Sequence, residues 1–248
     1  MSKIKLSKIA TRAPEKLDKE KIKEEFATIL KELDELQNLL YASNKHSILI
    51  VVQGMDASGK DGLTRDVFTS MNPQGVNVTS FKEPTAEELS HDFLWRIHQN
   101  VPAKRMIQIF NRSHYEDILI TRVHGLIDDK TAKMRINAIN AFEKILVEDN
   151  NTTILKFYLH VSHNEQQERL KERLEKPQKM WKYNVNDFAE SDKWKAYMKY
   201  YEEAIEHCND IPWHIIPSDQ NWYKSYLVAT ILRDTMKGFK MKYPGMKK

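Results

Sequence analysis

The segment from residue 48 to residue 62 constrains the fold more than any other part of the chain. The apolar run 48–53 (Ile-Leu-Ile-Val-Val-Gln) is followed by 54–62 (Gly-Met-Asp-Ala-Ser-Gly-Lys-Asp-Gly), which holds three of the seven glycines of the protein. A β-branched run that ends in glycines and continues into a helix-compatible segment predicts a strand, a phosphate-binding loop and a helix. Gly54 and Gly59 permit a tight turn, and the backbone amides near Lys60, at the helix N-terminus, favour an anion.

The segment 54–62, hereafter the phosphate loop, has the spacing Gly-x4-Gly-Lys of a P-loop, but Asp61 replaces the Ser or Thr that usually ligates magnesium. Asp56 would repel a bound phosphate by about 4 kcal/mol at ~4 Å and an effective dielectric of ~20 unless a cation lay between them. We therefore expect Mg²⁺, with Mn²⁺ as a substitute, at Asp56. An ordinary Gly/Asp/Ser turn is the alternative. The predicted phosphate-binding residues are Ala57, Ser58, Gly59, Lys60, Asp61 and Gly62.

Composition restricts the class of protein. The 248 residues are 41% hydrophobic and 30% charged, which is typical of one globular domain rather than a disordered or membrane protein. Cys208 is the only cysteine, so an intramolecular disulfide is excluded, and no apolar run reaches the ~20 residues that span a bilayer. We expect a cytoplasmic protein. A net charge of +4 attracts polyanions of any kind.

An amphipathic helix is predicted over residues 15–42, ahead of the first strand. We expect a single domain over 1–248, with 1–44 as an N-terminal helical extension. The apolar side of this helix can pack on the domain itself or on another subunit, and a homo-oligomer is expected.

A βαβ unit follows the phosphate loop. Helix 59–71, turn 72–75 and strand 76–81 are predicted, and Lys82 comes directly after the strand. Open α/β sheets bind ligands at the carboxyl ends of their strands, so Lys82 is predicted to meet an anion. A solvated surface lysine is the alternative.

Polar and ionisable residues also follow the next predicted strand, 106–110. The segment 111–117 (Asn-Arg-Ser-His-Tyr-Glu-Asp) therefore predicts one wall of an active site. Arg112 can form bidentate, charge-assisted hydrogen bonds to phosphate oxygens.

The two carboxylates of this segment differ. Ser113 and Glu116 fit a capping box, so Glu116 is either a helix cap or a ligand contact. Asp117 has no such structural explanation and is the second predicted metal ligand.

The remaining elements follow from periodicity and capping signals. They are a helix from Thr85, capped with Glu88, to about His98; a helix 130–148 capped by Asp128 or Asp129; strands 153–159 and 213–217; and a closing helix 221–236.

Residues 163–206 are the most charged part of the chain. Pro177 and the segment 184–186 divide it into two predicted helices, and the first of them carries Arg169 and Arg173. We interpret the region as a lid whose cations close over phosphates and exclude water. A solvated charged helix pair is the alternative.

Four segments together resemble the family-2 polyphosphate kinases: the phosphate loop, 78–82, 110–117 and 169–182. The resemblance implies a P-loop kinase-like three-layer α/β fold with a central parallel sheet and a helical lid. It also implies Mg-dependent transfer between inorganic polyphosphate and a nucleotide. Many members of the family have Asp at the position of Asn111. Residues 114–117 resemble the corresponding residues of the subgroup that phosphorylates both AMP and ADP.

With this resemblance, roles can be assigned. Polyphosphate is expected along the phosphate loop, Lys60 and Lys82, and the acceptor is an adenine or guanine nucleotide. Neither nucleic acid nor a membrane is an expected partner. The predicted catalytic residues are Asp56, Lys60, Arg112, Asp117 and Arg173, with Asp56 and Asp117 on the metal. The predicted nucleotide-binding residues are Arg112, Glu116, Arg122, Arg173 and Lys182.

Two rival functions remain at this level. An ATP-dependent nucleotide kinase of the same fold would share the loop and the lid. A basic nucleic-acid-binding protein would use its Trp and Tyr side chains to stack on bases, although no recognition motif is present.

Overall fold

The computed structural model describes residues 4–245. Five strands form one sheet in the order β2-β3-β1-β4-β5, and every neighbouring pair is parallel. The predicted parallel α/β architecture is confirmed. The strands are β1 (Ser47–Gln53), β2 (Val76–Ser80), β3 (Ile107–Asn111), β4 (Thr152–His160) and β5 (Trp213–Pro217).

Most helices connect successive strands, whereas the first precedes β1 and the last follows β5. They are α1 (Lys19–Ser43), α2 (Lys60–Phe68), α3 (Ala86–Leu89), α4 (Trp95–His98), α5 (Ile120–Val123), α6 (Asp129–Glu148), α7 (His163–Glu175), α8 (Pro177–Met180), α9 (Asp187–Asp192), α10 (Trp194–His207) and α11 (Asn221–Gly238). Short 3-10 helices cover Leu6–Lys8, Pro73–Gly75 and His114–Ile118.

The central strand β1 is buried along its whole length because helices cover both faces of the sheet. Ile50 and Val52 point into a core shared with α1, α2 and α11. Leu49 and Val51 point into a second core shared with α6 and α10. Three layers result, as a near-continuous apolar strand requires.

Helix α1 packs within its own chain. Asp18 caps it by accepting a hydrogen bond from the Glu20 amide at 2.9 Å. Ile29 and Leu33 are fully buried in the core that α11 also lines. Packing on the domain, one of the two alternatives, is therefore observed, and a subunit interface at this helix stays a prediction.

The single helix predicted from Thr85 to about His98 is wrong in extent. The capping box forms, since the Thr85 amide donates to Glu88 Oε2 at 2.7 Å and the Glu88 amide to Thr85 Oγ1 at 3.2 Å. Helix α3 nevertheless ends at Leu89. The Asp92 carboxylate accepts from the Leu94 amide at 2.9 Å, and this competing local hydrogen bond starts a new turn at α4.

The region 163–206 is divided at both predicted places, but into four helices rather than two. Pro177 occupies the first turn of α8, where its missing amide hydrogen costs nothing. The segment 184–186 separates α8 from α9. Lys193 then separates α9 from α10, a break that no sequence pattern predicted.

Residues 1–3 and 246–248, at the start and in the basic tail, lie outside the described part of the chain. Among the helices of residues 4–245, none combines the length and the apolar character that crossing a membrane requires.

Candidate active site

The phosphate loop joins β1 to α2 at the carboxyl edge of the sheet. Three of its residues have positive φ: Gly54 (154°), Ala57 (62°) and Gly59 (94°). The Ser58 amide donates to Met55 O at 3.1 Å, which closes the turn. A loop with left-handed residues ahead of the first turn of a helix is a backbone arrangement typical of anion-binding concavities.

Gly54 is required by space as well as by φ. A Cβ atom on Gly54 would lie 2.9 Å from Leu159 O, a backbone atom of β4. A Cβ atom on Gly59 would lie 2.3 Å from the ammonium of Lys224, the end of a flexible side chain, so the main requirement for glycine at this position is its φ of 94°. A Cβ atom on Gly62, in contrast, would meet no atom of the described chain within 4 Å, so this position needs glycine for neither reason.

Lys60 is the first residue of α2, and its ammonium turns back over the loop. Nζ donates to Gly54 O at 2.7 Å and to Met55 O at 3.1 Å. Burial, together with the neighbouring charge of Arg112, lowers the pKa of Lys60 to about 8, against the opposing effect of Asp56. Lys60 is therefore a buried cation that another anion would stabilise.

Asp56 pairs with Arg112 across the mouth of the loop. Arg112 Nη2 donates to Asp56 Oδ1, and both side chains remain about one third exposed (39% and 33%). Burial opposes ionisation, but the charges of Lys60 and Arg112 hold the pKa of Asp56 below its usual range. Arg112 itself has a left-handed backbone (φ 63°), so its position is held at some cost in strain.

Glu116 lies on the same side of the site. Its Oε1 accepts from the side-chain amide of Gln53 at 2.9 Å when that amide is oriented to satisfy both Glu116 and Ser113. Burial raises the pKa of Glu116, and the charges of Arg112 and Lys60 oppose the shift. Ser113 caps the 3-10 helix through the Tyr115 amide at 3.2 Å, without the reciprocal contact from Glu116. Of the two alternatives for Glu116, the capping-box role is therefore not observed.

Asp117 faces away from the loop and lies between two arginines. Its carboxylate is 3.8 Å from Arg96 Nη2 and 3.7 Å from Arg135 Nη1. Burial raises the pKa of Asp117 against the charges of these two arginines. Residues 4–245 contain no group of three or more His, Cys, Asp and Glu side chains arranged for a metal. The role of Asp117 as a metal ligand stays a prediction and requires it to exchange its arginine partners.

Asp61 connects the loop to two other elements. Its Oδ1 accepts from Asn111 Nδ2 at 2.9 Å, and its Oδ2 accepts from Lys182 Nζ at 2.8 Å. The residue that replaces Ser or Thr in the P-loop pattern thus joins the end of β3 and the lid. Lys182 is brought to the site as predicted.

The other predicted cations, Arg173, Lys82 and Arg122, lie at different distances from the phosphate loop. Arg173 donates to Asp187 at 2.8 Å within the lid and adds to the charges that lower the pKa of Asp56. Lys82 is exposed immediately after β2. Arg122 binds Glu203 at 2.7 Å and Asp129 at 2.8 Å, so it is not brought to the loop.

Two supporting contacts of the loop were not predicted from the sequence. Arg169 donates to Ala57 O at 3.0 Å and to Ser218 O at 2.8 Å, so it supports the loop from behind instead of closing over it. Lys224, in the first turn of α11, donates to Gly59 O at 3.0 Å. Burial lowers the pKa of Lys224 to about 7. No local pattern signals either contact, because both partners are backbone carbonyls distant in sequence.

A parallel sheet with a glycine-rich phosphate loop after its first buried strand, and cations from a helical lid, defines a P-loop kinase-like protein. The model of the family Polyphosphate kinase 2 (PPK2) matches residues 16–244. The chain therefore belongs to the polyphosphate kinase 2 family, as the resemblance predicted.

Individual relatives agree with this family. The chain is 47% identical over 223 residues to the AMP/ADP-polyphosphate phosphotransferase of Meiothermus ruber, covering 89% of this chain and 83% of the relative. It is 40% identical over 240 residues to the ADP-polyphosphate phosphotransferase of Rhodopseudomonas palustris, covering 91% and 83%. The crystal structure of Polyphosphate Kinase 2 from Arthrobacter aurescens superposes with a TM-score of 0.96 at 40% identity, covering 100% of this chain and 90% of that one.

Proposed function

We propose that the protein transfers a phosphoryl group from inorganic polyphosphate to nucleoside mono- and diphosphates, converting AMP to ADP and ADP to ATP, in a reversible reaction. The observation that carries this proposal is the convergence of Lys60, Arg112 and Lys182 on the phosphate loop of a polyphosphate kinase 2 chain. Such a cluster of cations and amides fits a chain of phosphates on one side and a nucleotide phosphate on the other.

Polyphosphate would lie along the loop amides, with its negative charge toward Lys60 and Lys82. An oxygen of the terminal phosphate of the acceptor bonds to the terminal phosphorus of the polyphosphate. The bond from that phosphorus to its bridging oxygen breaks, and the polyphosphate leaves one unit shorter. Because such a transition state is loose, catalysis is mostly positioning and charge neutralisation, and no covalent protein intermediate is needed.

Arg112 is the proposed catalytic cation at the transferred group. It lies within contact of Asp56, and its left-handed backbone aims it across the loop mouth. A planar guanidinium can bind two equatorial oxygens at once. Arg173 and Lys182 are proposed to act from the lid, and Glu116 to position the acceptor.

The carboxylate oxygens beside the phosphate loop are suitable ligands for a divalent metal. The Asp56 carboxylate is ionised, one third exposed and beside the proposed phosphate site. Hard oxygen donors of this kind suit Mg²⁺, with Mn²⁺ as a substitute. Asp56 would hold the ion, which supplies charge neutralisation when bound. Asp117 is a proposed second ligand only in a state in which it leaves Arg96 and Arg135.

The decisive assay offers purified protein Mg²⁺, long-chain polyphosphate and ADP, with no ATP. ATP should form, and the Lys60→Met variant should form at least about 10²-fold less, as expected for loss of a preorganised charge. Parallel reactions with AMP, GMP and GDP define the acceptor range. Phosphorylation that appears only when ATP is supplied would instead favour the ATP-dependent kinase.

Binding to nucleic acid at physiological salt without any phosphotransfer would favour the third alternative, a nucleic-acid-binding protein. The homo-oligomeric state remains a prediction, and light scattering of the purified chain measures it.

A further inference from the structure

Four buried polar side chains connect the wall segment, residues 111–117, to the elements packed against it. They are His114, Tyr115, Glu143 and Lys156, which come from the 3-10 helix, α6 and β4, and none is more than 1% exposed. We call these four residues the buried cluster. The proposed mechanism uses none of them.

Lys156 occupies the centre of the buried cluster. Its Nζ donates to Glu143 Oε2 at 2.7 Å, to Tyr115 Oη at 2.9 Å and to Cys208 O at 2.9 Å. An ammonium group has three hydrogens, so every donor is used. The charge is thereby tied to α6, to the wall segment and to the end of α10.

Glu143 completes the cluster. Its Oε1 accepts from Tyr115 Oη at 2.7 Å and lies 3.2 Å from His114 Nε2, which donates because an ionised carboxylate can only accept. Burial opposes ionisation, but the hydrogen bond from His114 and the charge of Lys156 hold the pKa of Glu143 below its usual range. The Glu143 carboxylate therefore binds two consecutive residues of the wall segment, His114 and Tyr115.

Stability alone does not explain this arrangement. A buried ion pair gives little net stabilisation, and apolar side chains of similar volume often replace one without loss. What such side chains do not supply is a contact that depends on angle, because hydrophobic and dispersion contacts depend mainly on buried area and distance. Hydrogen bonds are directional, so those of Tyr115 and His114 to Glu143 restrict the rotation of the 3-10 helix.

The order of residues in the wall segment connects the hydrogen bonds of Glu143 to the candidate active site. Arg112 and Glu116 flank His114 and Tyr115 in sequence, and they face Asp56 and Lys60 while His114 and Tyr115 face Glu143. A rotation of the turn would therefore move both site residues together. The phosphate loop has no hydrogen bond to the buried cluster among the described residues.

We propose that the Lys156–Glu143 pair, acting through Tyr115 and His114, positions Arg112 and Glu116 for phosphoryl transfer. The four are positioning residues and touch neither substrate. This inference rests on the proposed function. Its consequence is a separation of kinetic constants: loss of the cluster lowers kcat and leaves the KM for polyphosphate, which depends on the loop, unchanged.

The principal test is the double variant Lys156→Met with Glu143→Leu, which removes both charges together and approximately keeps the volume. We expect a folded protein with a lower thermal midpoint, because Tyr115 Oη and His114 Nε2 lose their buried partners. At a temperature where the variant is folded, kcat should be lower by about 10²-fold, the scale of a misplacement of ~1 Å. The KM for polyphosphate should stay within about twofold of wild type, because the loop is intact. A wild-type kcat in the folded double variant would overturn the inference.

Tyr115→Phe is the second variant and decides the matter if the double variant does not fold. It keeps the ring against Trp213, at 4.6 Å between centroids, and removes only the hydroxyl. We expect kcat to fall by about tenfold, as for one lost hydrogen bond, again with an unchanged KM for polyphosphate. An unchanged kcat, or a KM that rises in step with the loss, would contradict positioning.

The matched control removes another buried polar pair that joins two elements. Ser47 Oγ and Thr152 Oγ1 are 2.8 Å apart at the opposite edge of the sheet. Ser47→Ala with Thr152→Val should leave kcat within about twofold of wild type. An equal fall of kcat in this control would assign the effect to general loosening and overturn the inference. A wild-type protein without turnover would overturn the proposed function and this inference with it.

Discussion

The phosphate loop and the wall segment face each other across the same site, yet they are built differently. The loop is shaped by its own backbone, with positive φ at Gly54, Ala57 and Gly59. The wall segment is held by side chains from α6 and β4, more than twenty residues away along the chain. The contrast indicates that the backbone shape of the phosphate loop depends mainly on its own residues, whereas the placement of Arg112 and Glu116 depends on the whole fold.

The largest effect should come from removing Arg112, the proposed catalytic arginine of the wall segment. Arg112→Ala is expected to lower kcat by about 10³-fold, since an arginine in this role neutralises charge in the transition state. Arg122→Ala is the matched control, because Arg122 is already bound to Glu203 and Asp129. Its kcat should stay within about tenfold of wild type. An equal loss of kcat in the two variants would contradict a specific catalytic role for Arg112.

The next effect concerns the steric requirement of the loop. Gly54→Ala places a Cβ 2.9 Å from Leu159 O at φ 154° and should destabilise the protein by about 2–3 kcal/mol. Gly62→Ala, with open space at the Cβ, should stabilise α2 by about 0.5–1 kcal/mol. Urea unfolding of both variants measures the difference. A Gly54→Ala variant as stable as Gly62→Ala would contradict the description of the loop as sterically defined.

A smaller effect should appear in the pH dependence of polyphosphate use. The pKa of Lys60 is lowered to about 8 in the free protein, so the charged form is lost as pH rises through that value. We expect kcat/KM for polyphosphate to fall by about tenfold between pH 7 and pH 9, since this constant reports groups of the free enzyme.

Two variants assign that inflection. Lys60→Arg should remove it, because a guanidinium stays charged throughout this range. Lys224→Met should retain it, although the pKa of Lys224, lowered to about 7, also lies nearby. An inflection near pH 8 that disappears only in Lys224→Met would assign the titration to Lys224 instead of Lys60.

The smallest effect should come from the contact between the lid and the loop. Lys182 and Asp61 are 2.8 Å apart and partly exposed (33% and 63%), so the pair is worth about 0–1 kcal/mol. Lys182→Ala should raise the KM for the nucleotide by about two- to fivefold and leave stability nearly unchanged.

Lys171→Ala is its control. Lys171 pairs with Glu168 at 3.0 Å on the same lid, and both side chains are exposed. Its KM for the nucleotide should not change, and an equal rise in both variants would assign the effect to lid charge in general.

Particular residues show why some of the site was predictable. Lys60 and the loop glycines follow a buried strand at fixed spacing, so their positions depend on adjacent residues only. Asp117 and Arg122 fit the same kind of argument but bind Arg96, Arg135, Glu203 and Asp129 in the fold. Arg169 and Lys224 support the loop through carbonyls that no spacing in the sequence indicates.

The strand, loop and helix of the candidate phosphate site, the parallel α/β class and the family could all be inferred from the amino-acid sequence alone. These depend on short-range backbone preferences and on the alternation of apolar residues. The folded structure was needed to show which carboxylates lie near the loop, which arginines already have carboxylate partners, and that Lys156 and Glu143 pack against the wall segment. Such choices depend on contacts between elements distant in the chain, where burial and charge together select one partner among several.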